Sequence, residues 1–385
     1  MKILHTVEFY SPSTGGAQEV VKQISERMVK VGHEVTIATT KLPERKSSTI
    51  NGVKVVEFDI RGNEVVGMQG ETDKYKQFLS SGKFDVVMNY AAQQWATDLA
   101  FECLDNISAK KFIVPCGYSS LRNPDFKAYF AKLPKILKKY DGSIYLTKQY
   151  RDYKFARRKR LSNLHVIPNG ADETEFGNPQ NDFDFRGKYG IKNFFILTIS
   201  NHTGSKGHSE TLEVFEKLPF AATLVIIGSP QDDGCFKQCK QEADRINKNR
   251  KGKQVLLLTV PRQQTVAALK SADIFLFLSN VEASPIVLFE AAAAGLPFVS
   301  NKAGNAAEIA KWTRGGVITR TRPDKLHDGN VFARINPTVK LVKKLHDDEA
   351  LRRKLGSEGC KNWQANFTWE KIAQRYIDLY EEAVK

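Results

Sequence analysis

Glu282 and Glu290 stand eight residues apart in the stretch Ile274 to Ser300, IFLFLSNVEASPIVLFEAAAAGLPFVS. On one continuous helix they would differ by roughly 80° in azimuth. They read better as two acids bracketing a turn, one before a helix and one inside it. Ser284 offers an N-cap oxygen and Pro285 suits the first helical position. The free amides of that helix start, Ser284 to Val287, attract an anion such as phosphate. A carboxylate beside a bound anion is placed to accept hydrogen bonds from hydroxyls, as on a ribose or another sugar. Two other stretches carry matching chemistry. In Asn201 to Gly207, NHTGSKG, the glycines free the backbone and Lys206 could neutralise a diphosphate. Gly15-Gly16 lets backbone approach a ligand closely where a helix begins.

These residues need a scaffold that collects loops on one edge, and the sequence predicts one. Ile274 to Leu278 is a continuous apolar run, as in a strand buried on both faces. A helix over Pro285 to Ala294 follows, with Gly295 as its left-handed C-cap, Pro297 preventing continuation, and Phe298 to Ser300 starting a strand. Such a unit belongs in a parallel sheet, which binds ligands at the carboxyl ends of its strands. The second half repeats the pattern. Strands are expected over Phe194 to Ser200, Leu224 to Gly228 and Gln254 to Leu258, and helices over His208 to Lys217, Asp233 to Lys248 and Gln263 to Ser271.

The first half opens likewise, with a strand over Lys2 to Val7, the Glu8 to Gly16 loop, a helix over Ala17 to Val31 and a strand over Glu34 to Thr39. Further strands are expected over Val53 to Asp59, Asp85 to Asn89, Phe112 to Val114 and Gly142 to Thr147. Gly62 to Gly70 reads as a mobile loop. Pro115 to Tyr118 reads as a strand-end loop facing a cleft. Asn169-Gly170 is a turn signal, and the polar stretch Ala171 to Gly190 reads as a linker. Its Asp182-Phe183-Asp184 reads as ordinary solvated acids. The expected domains are residues 1–170 and 171–365, with a C-terminal helix over about 366–385 returning to the first. Helices are expected over Asp347 to Gly359 and Trp369 to Val384, the latter amphipathic through Ile372, Tyr376, Ile377, Tyr380 and Ala383.

Composition narrows the class. A chain of 385 residues with 41% hydrophobic content is a folded protein of two or three domains. It has no apolar run long enough to span a membrane and no signal-peptide pattern, so the expected place is the cytoplasm. The five cysteines lack framework spacing, which suits a reducing compartment. Cys235 and Cys239 could share a helix face, but without further Cys or His nearby they make a poor zinc site. The net charge is +15 and uneven: Lys127 to Arg160 holds twelve Lys/Arg against Asp141 and Asp152, with aromatics interleaved. This stretch reads either as a solvated face over buried aromatics or as a peripheral surface for anionic lipid. No nucleic-acid-binding motif accompanies the charge.

The ordered set of Gly15-Gly16, Asn169-Gly170, Lys206-Gly207, Glu282-x7-Glu290 and Gly295-Leu296-Pro297 resembles the retaining GT-B glycosyltransferases of glycosyltransferase family 4. The resemblance implies an α/β architecture of two Rossmann-like doubly wound domains facing across a cleft. It implies transfer of a sugar from a nucleotide-diphosphate sugar, UDP-linked by preference over GDP-linked, to a saccharide or lipid-linked acceptor. It assigns Glu290 to the ribose and Glu282 to the donor sugar. Lys206 and the helix start Ser284, Pro285, Ile286 and Val287 go to the diphosphate, with Gly15, Gly16, Asn201 and Pro261 as further donor contacts. Cys116, Gly117 and Tyr118 fall on the acceptor side. No metal or other cofactor is expected. Family members often carry an arginine a few residues before the lysine, where this chain has Asn201 or His202. Their His-Gly in the first domain is here Cys116-Gly117, and their Gly-Phe-Gly is Ala283-Ser284-Pro285. The alternatives are a GT-B sugar-nucleotide epimerase and a non-enzymatic basic protein binding lipid or nucleic acid.

Overall fold

The computed structural model describes residues 1–177, 183–249, 252–324 and 330–385. Asp182, half of the Asp-x-Asp pair, lies outside them. The chain divides into two compact units, Met1–Asn169 with Trp369–Lys385, and Gly170–Thr368.

The first unit contains ten strands: β1 (Lys2–Thr6), β2 (Glu34–Thr40), β3 (Thr49–Ile50), β4 (Val53–Phe58), β5 (Ile60–Asn63), β6 (Gly67–Gly70), β7 (Val86–Tyr90), β8 (Lys110–Val114), β9 (Gly142–Tyr145) and β10 (Leu164–Val166). Eight form one sheet in the order β10-β9-β8-β7-β1-β2-β4-β3, parallel except for the β3–β4 pair. β7 is buried along its whole length, as a strand covered on both faces must be. The order reverses between β1 and β7, so the loop after β1, which carries Gly15-Gly16, lies at a switch point.

Gly62 to Gly70 is not a loop: β5 and β6 pair as an antiparallel hairpin. Its glycines permit close approach, since a Cβ at Gly62 would lie 2.0 Å from the Gly67 carbonyl oxygen. Lys127 to Arg160 folds as the helices Lys127–Leu137 and Arg151–Arg158 around β9. Tyr129, Phe130, Tyr140, Tyr145 and Phe155 point into the core, while Lys127, Lys132, Lys135, Lys138, Lys139, Lys148, Lys154, Arg157, Arg158, Lys159 and Arg160 are exposed. The interleaving is therefore that of amphipathic elements, and these aromatics cannot meet headgroups.

The C-terminal helix Trp369–Val384 packs on the helix Gly16–Lys30 of the same unit, burying Trp369, Ile372, Ala373, Tyr376, Ile377 and Tyr380. Tyr380 is fully buried, its ring 4.9 Å from that of Phe112 and its hydroxyl 3.4 Å from His5 Nε2. Tyr380→Ala is expected to cost about 3–5 kcal/mol, the range for deleting a large buried aromatic. Urea unfolding of the full chain checks this, and a cost under about 1 kcal/mol would mean that the helix carries no part of this core.

The second unit holds a six-stranded sheet: β11 (Phe194–Ile199), β12 (Ala222–Ile227), β13 (Lys253–Leu258), β14 (Ile274–Phe277), β15 (Phe298–Ser300) and β16 (Gly316–Ile318). All neighbours are parallel and the order is β13-β12-β11-β14-β15-β16. This is the doubly wound dinucleotide-fold order, whose switch point falls between β11 and β14. A two-stranded antiparallel ribbon, β17 (Thr321–Pro323) with β18 (Val331–Ala333), stands apart from this sheet. The stretch read as a linker contains the helices Glu173–Gly177 and Phe185–Tyr189, anchored by buried Phe176 and Phe185. The helix expected over Asp347 to Gly359 runs Glu349–Asn366, after a separate helix Ile335–Asp347, with the Asp348 side chain accepting the Leu351 N–H to cap it.

Candidate functional site

The two loops at the second unit's switch point are those that carry Lys206 and Glu282. The chain after β11 turns through a short 3-10 segment, Gly204–Lys206, into the helix His208–Lys217. Gly207 joins them with φ +66, and a Cβ there would lie 1.9 Å from the Leu278 carbonyl oxygen. The loop therefore lies directly on the end of β14. Asn280 N–H donates to the Ser205 carbonyl at 2.8 Å. Lys206 Nζ reaches Glu282 Oε1 at 2.7 Å, and Ser279 Oγ donates to the same oxygen at 2.7 Å. The lysine side chain is 28% exposed, so the pair sits at a solvent boundary where its cation can also face a ligand. The loop after β15 supports the arrangement, Asn305 N–H donating to the Ala283 carbonyl at 3.1 Å.

The helix after Glu282 begins at Ile286 and runs to Ala293. Pro285 holds the N-cap position and no side chain caps the helix, which corrects the expectation of a Ser284 cap and a Pro285 first position. The physical reason is that Pro285 is extended, with ψ 111, so helical geometry starts one residue later. The uncapped start leaves the Ile286 and Val287 amides at the head of an apolar helix.

Glu290 is 6% exposed and does not stand alone. Arg262 Nη2 donates to its Oε1 at 2.5 Å and to Glu175 Oε2 at 2.6 Å. From the sequence, Arg262 stands only just ahead of an expected helix and Glu175 within an expected linker. Arg262 also lines a cavity of about 270 Å³ at the carboxyl ends of β11, β12 and β13, with Asn201, Gly228, Thr259, Val260 and Thr265. Pro261 is the N-cap of the helix Arg262–Ser271, between two lining residues. Asn201 accepts the Ser229 N–H through its side chain and faces this cavity, whereas His202 is fully buried. Of the two candidates for the arginine position, only Asn201 is available to a ligand.

The remaining predicted residues belong to the first unit. Gly16 opens the helix Gly16–Lys30 with Gly15 as its N-cap, and a Cβ at Gly16 would meet nothing within 4 Å. That space is open to a ligand. Cys116 and Gly117 take φ 57 and 80. Burial pushes the Cys116 thiol up to about 11, so it is neutral and no nucleophile near pH 7. Tyr118 is a correction: it is fully buried, edge-on to Phe130 and Phe155, and lines no surface.

Asp152, unmarked by any sequence motif, holds this loop by accepting the Gly117 N–H at 2.9 Å. Burial pushes its carboxyl up to about 6, against the lowering effect of the Tyr153 and Gly117 amides. A folded pKa above the unfolded value means that the native state binds more protons, so this contribution grows as pH falls through 6 and is lost as pH rises. The unfolding free energy of the wild type relative to Asp152→Asn should therefore increase by about 2 kcal/mol between pH 7.5 and 4.5. Paired denaturant titrations measure it, and a pH-independent difference would show that the carboxyl is not shifted.

Comparison with known proteins bears on the fold and on the class of protein. The model for glycosyl transferases group 1 matches residues 181–359. The chain is 25% identical to an uncharacterized glycosyltransferase of Methanocaldococcus jannaschii, covering 100% of this chain and 99% of that protein. Sucrose-phosphate synthase of Thermosynechococcus elongatus has a TM-score of 0.79 at 16% identity, covering 99% of this chain and 98% of that one. Anabaena HepE in complex with UDP and glucose has a TM-score of 0.78 at 16% identity, covering 99% and 100%. With residues 181–359 matching the glycosyl transferases group 1 and with the GT-B fold of these structures, the chain is a glycosyltransferase.

Proposed function

We propose that this glycosyltransferase moves a sugar from a nucleotide-diphosphate donor, UDP-linked by preference, to a hydroxyl of a saccharide or lipid-linked acceptor, with retention and without a metal in the reaction. The observation that carries the reading is the Lys206–Glu282 pair, 2.7 Å apart, on adjoining loops at the switch point and ahead of an uncapped helix start. As the glycosidic bond breaks, negative charge grows on the leaving diphosphate. Lys206 and the Ile286 and Val287 amides stabilise that charge with little reorganisation. Glu282 holds the lysine and offers its second oxygen to a sugar hydroxyl. The base enters the cavity beside Val260, and Glu290, oriented by Arg262, accepts from the ribose hydroxyls. The UDP preference draws on the HepE complex, which holds UDP and glucose.

Turnover of a panel of UDP- and GDP-sugars, read as free UDP or GDP, tests this reading, and the product anomer tests retention. It fails if no donor is bound or turned over and Glu290→Ala changes nothing. Product formed without an acceptor would instead favour the epimerase. A second reading concerns where the acceptor is met. The exposed basic residues between Lys127 and Arg160 favour electrostatic contact with an anionic membrane. Among the described residues no helix is long and apolar enough to cross one. Sedimentation with anionic liposomes at low salt decides it, absence of binding removing the contact.

A further inference from the structure

Behind the Lys206 turn, four side chains from three elements meet in the interior of the second unit. His202 comes from the loop after β11, His208 opens the helix His208–Lys217, and Cys235 and Cys239 lie one turn apart on the helix Cys235–Asn249. Their exposures are 0%, 2%, 8% and 3%, and their ligand atoms all lie within 4.8 Å of one another. Neither ring nitrogen of His202 has a hydrogen-bond partner. A fully buried imidazole with two idle nitrogens is costly and calls for an explanation. This corrects the premise that the two cysteines lack histidine neighbours.

We propose that these residues form a structural zinc site. Two thiolates and two imidazoles are the donor set of a closed tetrahedral site, and two thiolates neutralise a divalent ion in a buried place. The sequence reads His-x5-His and Cys-x3-Cys, within the ligand spacings of such sites. The sulfurs of Cys235 and Cys239 are 3.8 Å apart and His208 Nδ1 is 3.4 Å from Cys235 Sγ. A tetrahedron with Zn–S near 2.3 Å has a sulfur–sulfur edge of about 3.8 Å. The far nitrogen of His208 meets Ser200 Oγ at 2.9 Å, a hydrogen bond that fixes the ring with Nδ1 toward the metal. With four protein ligands no coordination position is left for substrate, so the ion is structural. It ties both helices to the loop that positions Lys206. Asp233, just before Cys235, already makes part of that tie by accepting the N–H groups of Gly204 and Cys235.

Elemental analysis of the purified full-length chain should find one zinc per chain. Cobalt(II) in place of zinc should give the visible bands of a tetrahedral ion together with thiolate charge transfer. Cys239→Ser and His202→Ala should lose the metal, His202→Cys should regain it, and Cys103→Ser should keep it. Ser200→Ala should weaken zinc affinity about ten- to a hundredfold. Should the ligand variants fail to fold, wild-type protein treated with a mercurial should release one zinc as these two thiols react. Wild-type protein that takes up neither zinc nor cobalt, a Cys235–Cys239 disulfide in its place, or metal retained by Cys239→Ser and His202→Ala would overturn the proposal.

Discussion

Replacing Lys206 with alanine is expected to lower kcat for glycosyl transfer about 10²–10³-fold while leaving the thermal midpoint within a degree or two. The loss has two sources. The cation that meets the charge developing on the diphosphate is gone. Glu282 also keeps Ser279 as a hydrogen-bond donor but loses its counter-ion, so a carboxylate then faces an anionic donor. Stability should hardly change, because a partly exposed ion pair contributes only about 0–1 kcal/mol. Steady-state kinetics beside a melting curve separate the two effects. A variant that melts normally and turns over donor at the wild-type rate would remove Lys206 from the reaction. Lys206→Arg should recover part of the loss, since charge returns in a different shape.

Gly207→Ala should be nearly as damaging, for a steric reason. Its backbone is left-handed and its Cβ would stand 1.9 Å from the Leu278 carbonyl oxygen, which neither backbone can accommodate without moving. Lifting the loop from β14 breaks the Asn280–Ser205 hydrogen bond and separates Lys206 from Glu282. Activity should fall about 10²-fold, as expected when catalytic groups are displaced by an ångström, and stability by about 1–3 kcal/mol. Gly204 is the control: a Cβ there would come no closer than 3.8 Å, to Asp233 Oδ2, so Gly204→Ala should retain most activity and stability. Equal loss in the two variants would mean that the loop is simply intolerant of side chains. Harmless substitution at both would mean that its seating on β14 does not matter.

The stretch Ile274 to Ser300 was legible because its structure is local. An apolar run, a proline near the helix start and a glycine at its end mark a strand, a helix and a strand without reference to anything distant. The helix start slipped by one residue, where Pro285 rather than Ser284 sits at the cap. Glu290 could be picked out, but its partner could not. Arg262 is 28 residues away, and only the strand order, with β13 two places from β11 and β14 beside it, brings their loops together. The Cys235–Cys239 pair shows the same limit. Helical spacing placed the thiols together, while His202 and His208 arrive through the pairing of β11 with β12. The His-x5-His spacing was the available signal. Tyr118 and the Gly62 to Gly70 hairpin were misread because a loop position and a glycine-rich composition do not reveal burial or pairing. Asp152 left no mark in the sequence, since its role is one hydrogen bond to a backbone amide 35 positions earlier.

On the proposed function, the switch-point loops of the second unit bind a nucleotide diphosphate through Lys206. Calorimetric titration of the full chain with UDP and with UMP tests it most directly. Wild type should bind UDP about 10- to 100-fold more tightly than UMP, the increment of a charge-assisted contact. Lys206→Ala should erase most of that difference, while Glu290→Gln should weaken both nucleotides alike. A wild-type chain that binds neither UDP nor GDP, or a Lys206→Ala variant with an undiminished preference for UDP over UMP, would contradict it.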